Sequence, residues 1–185
     1  MPNGNQTNTL NTKLVYVTVN KKYTTTIKDE LVTKLAKEKE DEYFIEKRAL
    51  GELFDSSFNL EINLYRGDNP HNNDSIFYPI LKSFLLSNGR VRDEDIKTYK
   101  NNGELWVKCK TGGISLFDVL GIPVKSWDYY TLTKKTKIPF GLVITKDDYK
   151  KRLKATHYTI RPNWDMPVTN FCVLLDKLAI ELKKV

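Results

Sequence analysis

The 185-residue sequence predicts an α+β fold, and three observations support that prediction. Short segments rich in β-branched and aromatic residues recur along the chain, as strands require. They alternate irregularly with helical patterns, which argues against regular βαβ winding. Residues 165–182 carry one apolar stripe at helical spacing, typical of a helix packed on a sheet. With 40% apolar residues, the chain can bury the core of a single domain.

The N-terminal third is predicted to be a separate extension, with residues 1–56 preceding a main domain of residues 57–185. Residues 14–19 have strand composition, and residues 26–53 place apolar side chains at helical spacing between charges. The polar start lacks the apolar stretch of a signal peptide, and no run of eighteen apolar residues occurs. We therefore expect a soluble, cytoplasmic protein with no membrane partner.

In the main domain, residues 58–64 alternate apolar and polar side chains, which predicts a strand ending at Arg66. The other predicted strands are 105–109, 129–132, 141–145 and 158–160. Short helices are predicted around residues 78–86 and 115–120. A C-terminal helix is predicted after Asp165 as its N-cap, with one apolar stripe. That stripe consists of Val168, Phe171, Leu175, Leu178 and Leu182.

The net charge of +7 is concentrated in residues 125–161, which hold ten Lys or Arg against three Asp. A basic field of this kind attracts phosphates on a nucleotide, a nucleic acid or an acidic partner, although a solvated lysine-rich face gives the same pattern. The two cysteines and two histidines have no ligand-like spacing, so no metal site is predicted.

Three weak signals indicate candidate chemistry, and each has a structural alternative. Arg66 at a strand end could clamp a diphosphate, or be a solvated arginine. Gly112 and Gly113 before Ser115 resemble an anion-binding loop at a helix start, although Ser115 could simply cap that helix. His157 can do acid–base or orienting work near neutral pH, or be satisfied structurally. No serine-hydrolase, P-loop or dinucleotide-binding pattern is present.

Three segments in order resemble the motifs of one family. They are LYR at 64–66, TGGISLFD at 111–118 and KRLKATHYTIRP at 151–162. Together they resemble the type VI secretion effector toxins with an ADP-ribosyltransferase-like fold, over roughly residues 60–185. The third segment is the most specific, because a match of this length containing His, Tyr and a terminal Pro is improbable by chance.

The resemblance implies a split mixed β-sheet with peripheral helices and a C-terminal helix, with NAD in its cleft. It implies an NAD-dependent ADP-ribosyltransferase toxin that inhibits growth from the target-cell cytosol, has an immunity protein as partner and modifies an acceptor that the sequence does not identify. Arg66, Ser115 and His157 would be the catalytic residues. The cofactor-binding set would be Arg66, Gly112, Gly113, Ser115 and Tyr158.

Two departures from the family pattern leave turnover open. Ile114 stands where many members carry Thr, and no Glu lies in or beside the late motif, where Asp147 and Asp148 are the nearby carboxylates. One alternative is a nucleic-acid-binding module that uses the basic residues and interleaved aromatics of 125–161. Another is an RNA 2′-phosphotransferase-like enzyme of the same fold.

Overall fold

The structure, a computed structural model, describes residues 41–68 and 75–185, which form two helices and twelve strands. The helices are α1 (Glu42–Ala49) and α2 (Val168–Ala179). The strands are β1 (Leu53–Phe54), β2 (Leu64–Asp68), β3 (Phe84–Leu85), β4 (Val91–Arg92), β5 (Thr98–Asn101), β6 (Glu104–Val107), β7 (Ile114–Phe117), β8 (Asp128–Leu132), β9 (Leu142–Lys150), β10 (Ala155–Pro162), β11 (Met166–Pro167) and β12 (Lys183–Lys184). The predicted α+β class is confirmed.

Seven of the strands form the main sheet, in the order β1-β9-β10-β7-β2-β8-β12. The interior strand β10 is antiparallel to both of its neighbours, so that Thr159 lies opposite Ser115 on β7 and Thr145 on β9. β2 forms five residue pairs with β8 but only one with β7, between Tyr65 and Phe117. The two parts of the sheet are therefore joined through a narrow junction.

The N-terminal part of the described chain attaches to the edge of this sheet. α1 begins after Asp41, whose side chain accepts a hydrogen bond from the Tyr43 amide at 2.9 Å. β1 then pairs with β9, Leu53 opposite Thr145. The predicted strand at 14–19 and the helical pattern before residue 41 lie outside the described residues. Among the described residues, no helix is long and apolar enough to cross a membrane.

The C-terminal helix is confirmed as an amphipathic helix, but its start differs from the prediction. Phe171, Leu175 and Leu178 are buried in the same cluster as the apolar face of the main sheet. The helix follows Pro167, which makes no side-chain cap. Asp165 instead accepts hydrogen bonds from the Cys109 amide (2.9 Å) and the Tyr99 hydroxyl (3.0 Å), tying the chain before α2 to the three-stranded sheet of β5, β6 and β11.

We expect Leu175→Ala to lower the free energy of unfolding by about 2 to 5 kcal/mol, because truncating a buried leucine removes apolar contact and leaves a cavity. Leu175 is 2% exposed. Val173→Ala on the exposed side of the same helix is the matched control, since Val173 is 52% exposed. Urea unfolding measures both variants. Equal small losses would mean that α2 packs only loosely on the sheet.

Four predicted strands are confirmed with changed limits. Residues 105–109 correspond to β6 and residues 129–132 to β8, while 141–145 and 158–160 are parts of the longer strands β9 and β10. The strand predicted at 58–64 is wrong, because β2 begins only at Leu64. Phe58 is exposed, and Leu60 is instead hydrogen-bonded through its backbone to Lys135 and Thr136.

Both short helices of the main domain were predicted wrongly. Residues 78–86 lead as an irregular segment into β3, and the Ile80 amide and carbonyl are hydrogen-bonded to Asp95 rather than within a helix. Residues 114–117 form β7, with Ile114 and Leu116 buried in the core. The burial of this segment between β2 and β10 outweighs the local capping pattern. Ser115 is thus a strand residue and not a helix cap.

Candidate active site

A cavity of about 700 Å³ lies beside the junction of β2 and β7. This volume is within the range of small-molecule binding pockets, roughly 300 to 1,000 Å³. Arg66, Ser115 and Phe117 contribute to its wall from the two strands, and Tyr78 and Trp127 contribute aromatic rings from loops. Two of the three sequence motifs therefore meet at one cavity, although Arg66 and Ser115 are 49 residues apart.

The Arg66 guanidinium bridges the junction. Its Nε donates to the Ile76 carbonyl at 3.2 Å, and its Nη1 donates to the Ser115 carbonyl at 3.0 Å. Its Nη2 has no hydrogen-bond partner among the described residues. Burial lowers the pKa of Arg66, whereas the carboxylates of Asp95 and Asp68 act to raise it. Because an arginine titrates far above neutral pH, it keeps its charge at the cavity wall.

A second arginine and two carboxylates complete the charged part of the cavity wall. Arg92 Nη2 lies 2.6 Å from Asp95 Oδ1, while Asp95 Oδ2 accepts a hydrogen bond from the Ile80 amide at 2.8 Å. Asp95 is thus engaged on both oxygens, and Arg92 is engaged with Asp95. Arg66 differs from Arg92 because its hydrogen bonds go to neutral carbonyls, and no carboxylate in residues 41–68 or 75–185 pairs directly with its charge.

The sheet face that carries Ser115 continues from the cavity onto β10. Ser115 and Phe117 alternate with the buried Ile114 and Leu116, so they lie on the opposite face of β7. His157 stands opposite Phe117 in the β10 register, and the two rings have centroids 5.2 Å apart. His157 does not itself line the cavity; Phe117 is the shared neighbour that connects them.

His157 belongs to a polar cluster centred on Asp147 of β9, which we call the Asp147 cluster. Its Nδ1 lies 2.9 Å from Asp147 Oδ2, which also accepts a hydrogen bond from the Thr159 hydroxyl at 2.5 Å. Asp147 Oδ1 accepts hydrogen bonds from Arg161 Nη2 and the Thr145 hydroxyl, each at 3.1 Å. The Asp147 cluster thus joins the last sequence motif to the neighbouring strand.

The electrostatics of the Asp147 cluster keep its carboxylate ionised. Burial acts to raise the pKa of Asp147. Hydrogen bonds from His157 and Thr159, together with the charge of Arg161, outweigh burial and hold that pKa well below its usual range. Thr145, Thr159 and Arg161 are not among the residues predicted for the site. The sequence places polar residues at alternate positions on two strands, at 145 and 147 on β9 and at 157, 159 and 161 on β10. This alternation indicates a shared polar cluster only once the pairing of β9 with β10 is known.

Gly112 and Gly113 are located where two backbones approach closely. A β-carbon on Gly113 would lie 2.0 Å from the Ile160 carbonyl oxygen, and one on Gly112 would lie 2.0 Å from that of Asp95. The Gly113 amide donates to the Asp95 carbonyl at 2.7 Å. Neither glycine lines the cavity, and no helix follows them, so their role in ligand binding stays a prediction.

Tyr158 lies apart from the other predicted site residues. It is 6% exposed and belongs to the hydrophobic core cluster, whereas its neighbours His157 and Thr159 face the Asp147 cluster. Burial raises the pKa of its hydroxyl, and the nearby Asp118 acts in the same direction. The structure therefore brings together Arg66 with Ser115, and His157 beside Phe117, but not Tyr158.

Comparison with known proteins adds an independent observation. Over 52 residues the chain is 44% identical to Toxin Tse2 of Pseudomonas aeruginosa. That segment is 28% of this chain and 33% of the relative, so the chain spans about one third of the curated relative it matches.

The sequence model that describes the "Tse2 ADP-ribosyltransferase toxin" family matches residues 41–185. The match includes all three motifs and every residue of the cavity wall and the Asp147 cluster. The resemblance inferred from the three motifs is thereby confirmed. The chain belongs to the Tse2 ADP-ribosyltransferase toxin family.

Proposed function

We propose that this chain is a toxin that binds NAD in the cavity at the β2–β7 junction and transfers its ADP-ribose to an acceptor in the cytosol of a target cell. The observation that carries the proposal is the meeting of Arg66 and Ser115, from two separate motifs, at one cavity of ligand size. Family membership supports the reaction class. The narrow β2–β7 junction would then be the split of an ADP-ribosyltransferase sheet.

The groups on the cavity wall fit the parts of a dinucleotide. Arg66 offers a positive charge to a phosphate oxygen, together with Nη2, which no described residue engages. Ser115 offers a hydroxyl, which can donate to or accept from a ribose hydroxyl. Phe117 and Trp127 offer aromatic faces suited to a flat base. Apolar walls with a few convergent polar groups are the usual composition of such a pocket.

The chemistry that NAD supplies is cleavage of the bond between its ribose and nicotinamide, with the electron pair leaving on nicotinamide and positive charge developing on the ribose. The residues of this chain would act by orientation and electrostatics. Arg66 is held at two carbonyls and would fix the phosphates without having to reorganise. Ser115 would hold the ribose beside Phe117, which keeps water from one side. The acceptor group attacks the ribose carbon and loses a proton.

Family membership also suggests, by analogy, how this toxin reaches its target cell and which protein neutralises it. As a type VI secretion effector, the protein would be injected into a competing cell and would be neutralised in its own cell by an immunity protein. Growth of a heterologous host under tightly repressed expression tests the toxic activity directly. A host that grows normally with the wild-type chain induced would contradict the proposal.

We expect Arg66→Lys to weaken NAD binding by about 1 to 3 kcal/mol, because a lysine is a point charge that cannot hold two carbonyls and a phosphate in one plane. Isothermal titration calorimetry with NAD measures the loss. Arg92→Lys is the matched control, since Arg92 lines the same cavity but is engaged with Asp95. Equal affinity of Arg66→Lys and wild type for NAD would remove Arg66 from the binding site.

The same titrations separate this proposal from nucleic-acid binding. A ligand held through two phosphates should lose little affinity as salt rises, whereas a nucleic acid neutralised by many lysines should lose affinity steeply. The exposed end of β9 and the turn after it carry Lys150, Lys151, Arg152 and Lys154 and would be the contact for a nucleic acid. Tight, salt-sensitive binding of an oligonucleotide without NAD binding would favour that alternative.

A further inference from the structure

We propose that Asp147 is a positioning residue, which holds His157 with its proton on Nδ1 and leaves Nε2 as a hydrogen-bond acceptor on the sheet face that carries Ser115 and Phe117. The identity of the group that meets Nε2 rests on the proposed function, but the state of the histidine does not. Asp147 lies outside the motif at 151–162, yet it would fix the orientation of the histidine within that motif.

Asp147 cannot take the place of the glutamate that is absent from the late motif. Its two carboxylate oxygens accept hydrogen bonds from four side chains. Those donors are Thr145, His157, Thr159 and Arg161. A carboxylate with about four lone-pair sites is saturated by four donors. Asp147 therefore has no acceptor site left for a ribose hydroxyl or for a proton from the acceptor group.

The proton between Asp147 and His157 belongs to the imidazole. Because Asp147 is ionised and saturated with donors, it can only accept at the 2.9 Å contact with His157 Nδ1. Nδ1 must then carry a proton whether the imidazole is neutral or charged. In the neutral ring the other nitrogen, Nε2, keeps its lone pair. Among the described residues nothing is hydrogen-bonded to Nε2, and the His157 side chain is 19% exposed.

The His157 imidazole shares a sheet face with two residues of the cavity wall. His157 is opposite Phe117, and Thr159 is opposite Ser115, so four side chains occupy one patch of the same sheet face. Phe117 and Ser115 are also part of the cavity wall. A ligand hydroxyl held near Ser115 is therefore on the same sheet face as the imidazole.

The Asp147 cluster is held in place by Arg161. Arg161 donates from Nε to the Thr145 hydroxyl at 2.9 Å and from Nη1 to the Gly112 carbonyl at 3.2 Å, in addition to its bond with Asp147. These bonds tie β9 and β10 to the segment before β7. A positioned imidazole needs such support, because an orienting group acts only if it is itself fixed.

The test is Asp147→Asn, a change that keeps the shape of the side chain and removes its charge. Arg161 requires an acceptor, so the amide oxygen stays on the side of Arg161 and Thr145. The amide NH2 then faces His157, and Nδ1 becomes an acceptor, which moves the proton to Nε2. The same change in the His–Asp pair of serine proteases gives the wrong tautomer while geometry is kept.

We expect ¹H–¹⁵N correlation spectra of the imidazole to show a protonated Nδ1 in the wild type and a protonated Nε2 in Asp147→Asn. His71→Gln assigns the signals, since the chain has two histidines. Growth inhibition should be lost in Asp147→Asn. Asp148→Asn is the matched control: its carboxylate is exposed and, within the described part of the chain, pairs with Lys150 alone, so both readouts should stay as in wild type.

A wild-type His157 protonated on Nε2 overturns the proposal, and that measurement does not depend on whether any variant folds. Full growth inhibition by a folded Asp147→Asn with the switched tautomer also overturns it. If the tautomer switch and the loss of growth inhibition occur together but the wild type does not bind NAD, the proposed function fails and the positioning role of Asp147 stands.

Discussion

Gly113→Ala is expected to lower the free energy of unfolding by about 4 kcal/mol or more, an exceptional loss for a single methyl group. The added β-carbon would lie 2.0 Å from the Ile160 carbonyl oxygen, and the backbone φ of +154° is unfavourable for any side chain. Ile160 is on the interior strand β10, which is fixed by strand partners on both sides. Relief therefore requires β7 and β10 to separate. Urea unfolding, or the soluble yield if the variant does not fold, measures the effect.

Gly103→Ala provides the control for this expectation. Gly103 has a φ of +82°, but a β-carbon there would have nothing within 4 Å. It reports the cost of the backbone conformation alone, about 1 kcal/mol. A comparable small loss in both variants would show that β7 and β10 adjust to a side chain at residue 113. Close packing would then not be the reason for a glycine at residue 113, and the prediction that Gly113 contacts a ligand would be favoured.

His157→Ala is expected to abolish growth inhibition while lowering the free energy of unfolding by only about 1 kcal/mol. The loss of stability is small because Asp147 keeps hydrogen bonds from Thr145, Thr159 and Arg161 when the imidazole is removed. The loss of function is large if the imidazole orients a ligand. Toxicity, soluble yield and the melting temperature should be measured on one preparation, with His71→Ala as the control for losing a histidine.

Two results would contradict the expectation for His157→Ala. A stable and fully toxic variant would leave the late motif as a feature of the fold alone. A fall in melting temperature well beyond the few degrees that 1 kcal/mol represents would mean that His157 chiefly stabilises the Asp147 cluster. Asp147→Asn then becomes the more informative variant, because it retains the imidazole.

The parts of the fold that could be predicted are those in which local pattern and tertiary environment agree. The C-terminal helix has an uninterrupted apolar stripe, and β8, β9 and β10 have strand composition as well as strand surroundings. Ser115 marks the opposite case. A serine followed three residues later by an acid is a good helix start in isolation, yet Ile114 and Leu116 gain more by burial in the sheet.

The candidate site could be predicted only for residues that lie within a motif. Arg66, Ser115 and His157 lie in three motifs, so the resemblance identified them without knowledge of the sheet. Asp147 was considered only as a stand-in for a glutamate, because one sequence does not show that residues 147 and 157 face each other. The bulge between Thr156 and Tyr158 shifts that register further from any simple alternation.

The position of β10 has a consequence for when the protein becomes active. It is an interior strand of the sheet, yet it leaves the ribosome after β1, β2, β7, β8 and β9. A nascent chain that has reached residue 150 already contains Arg66 and Ser115, but β7 and β9 have open edges where β10 will insert. Any activity that depends on His157 is therefore acquired late in translation, and prematurely terminated products expose unpaired strands in place of a working site.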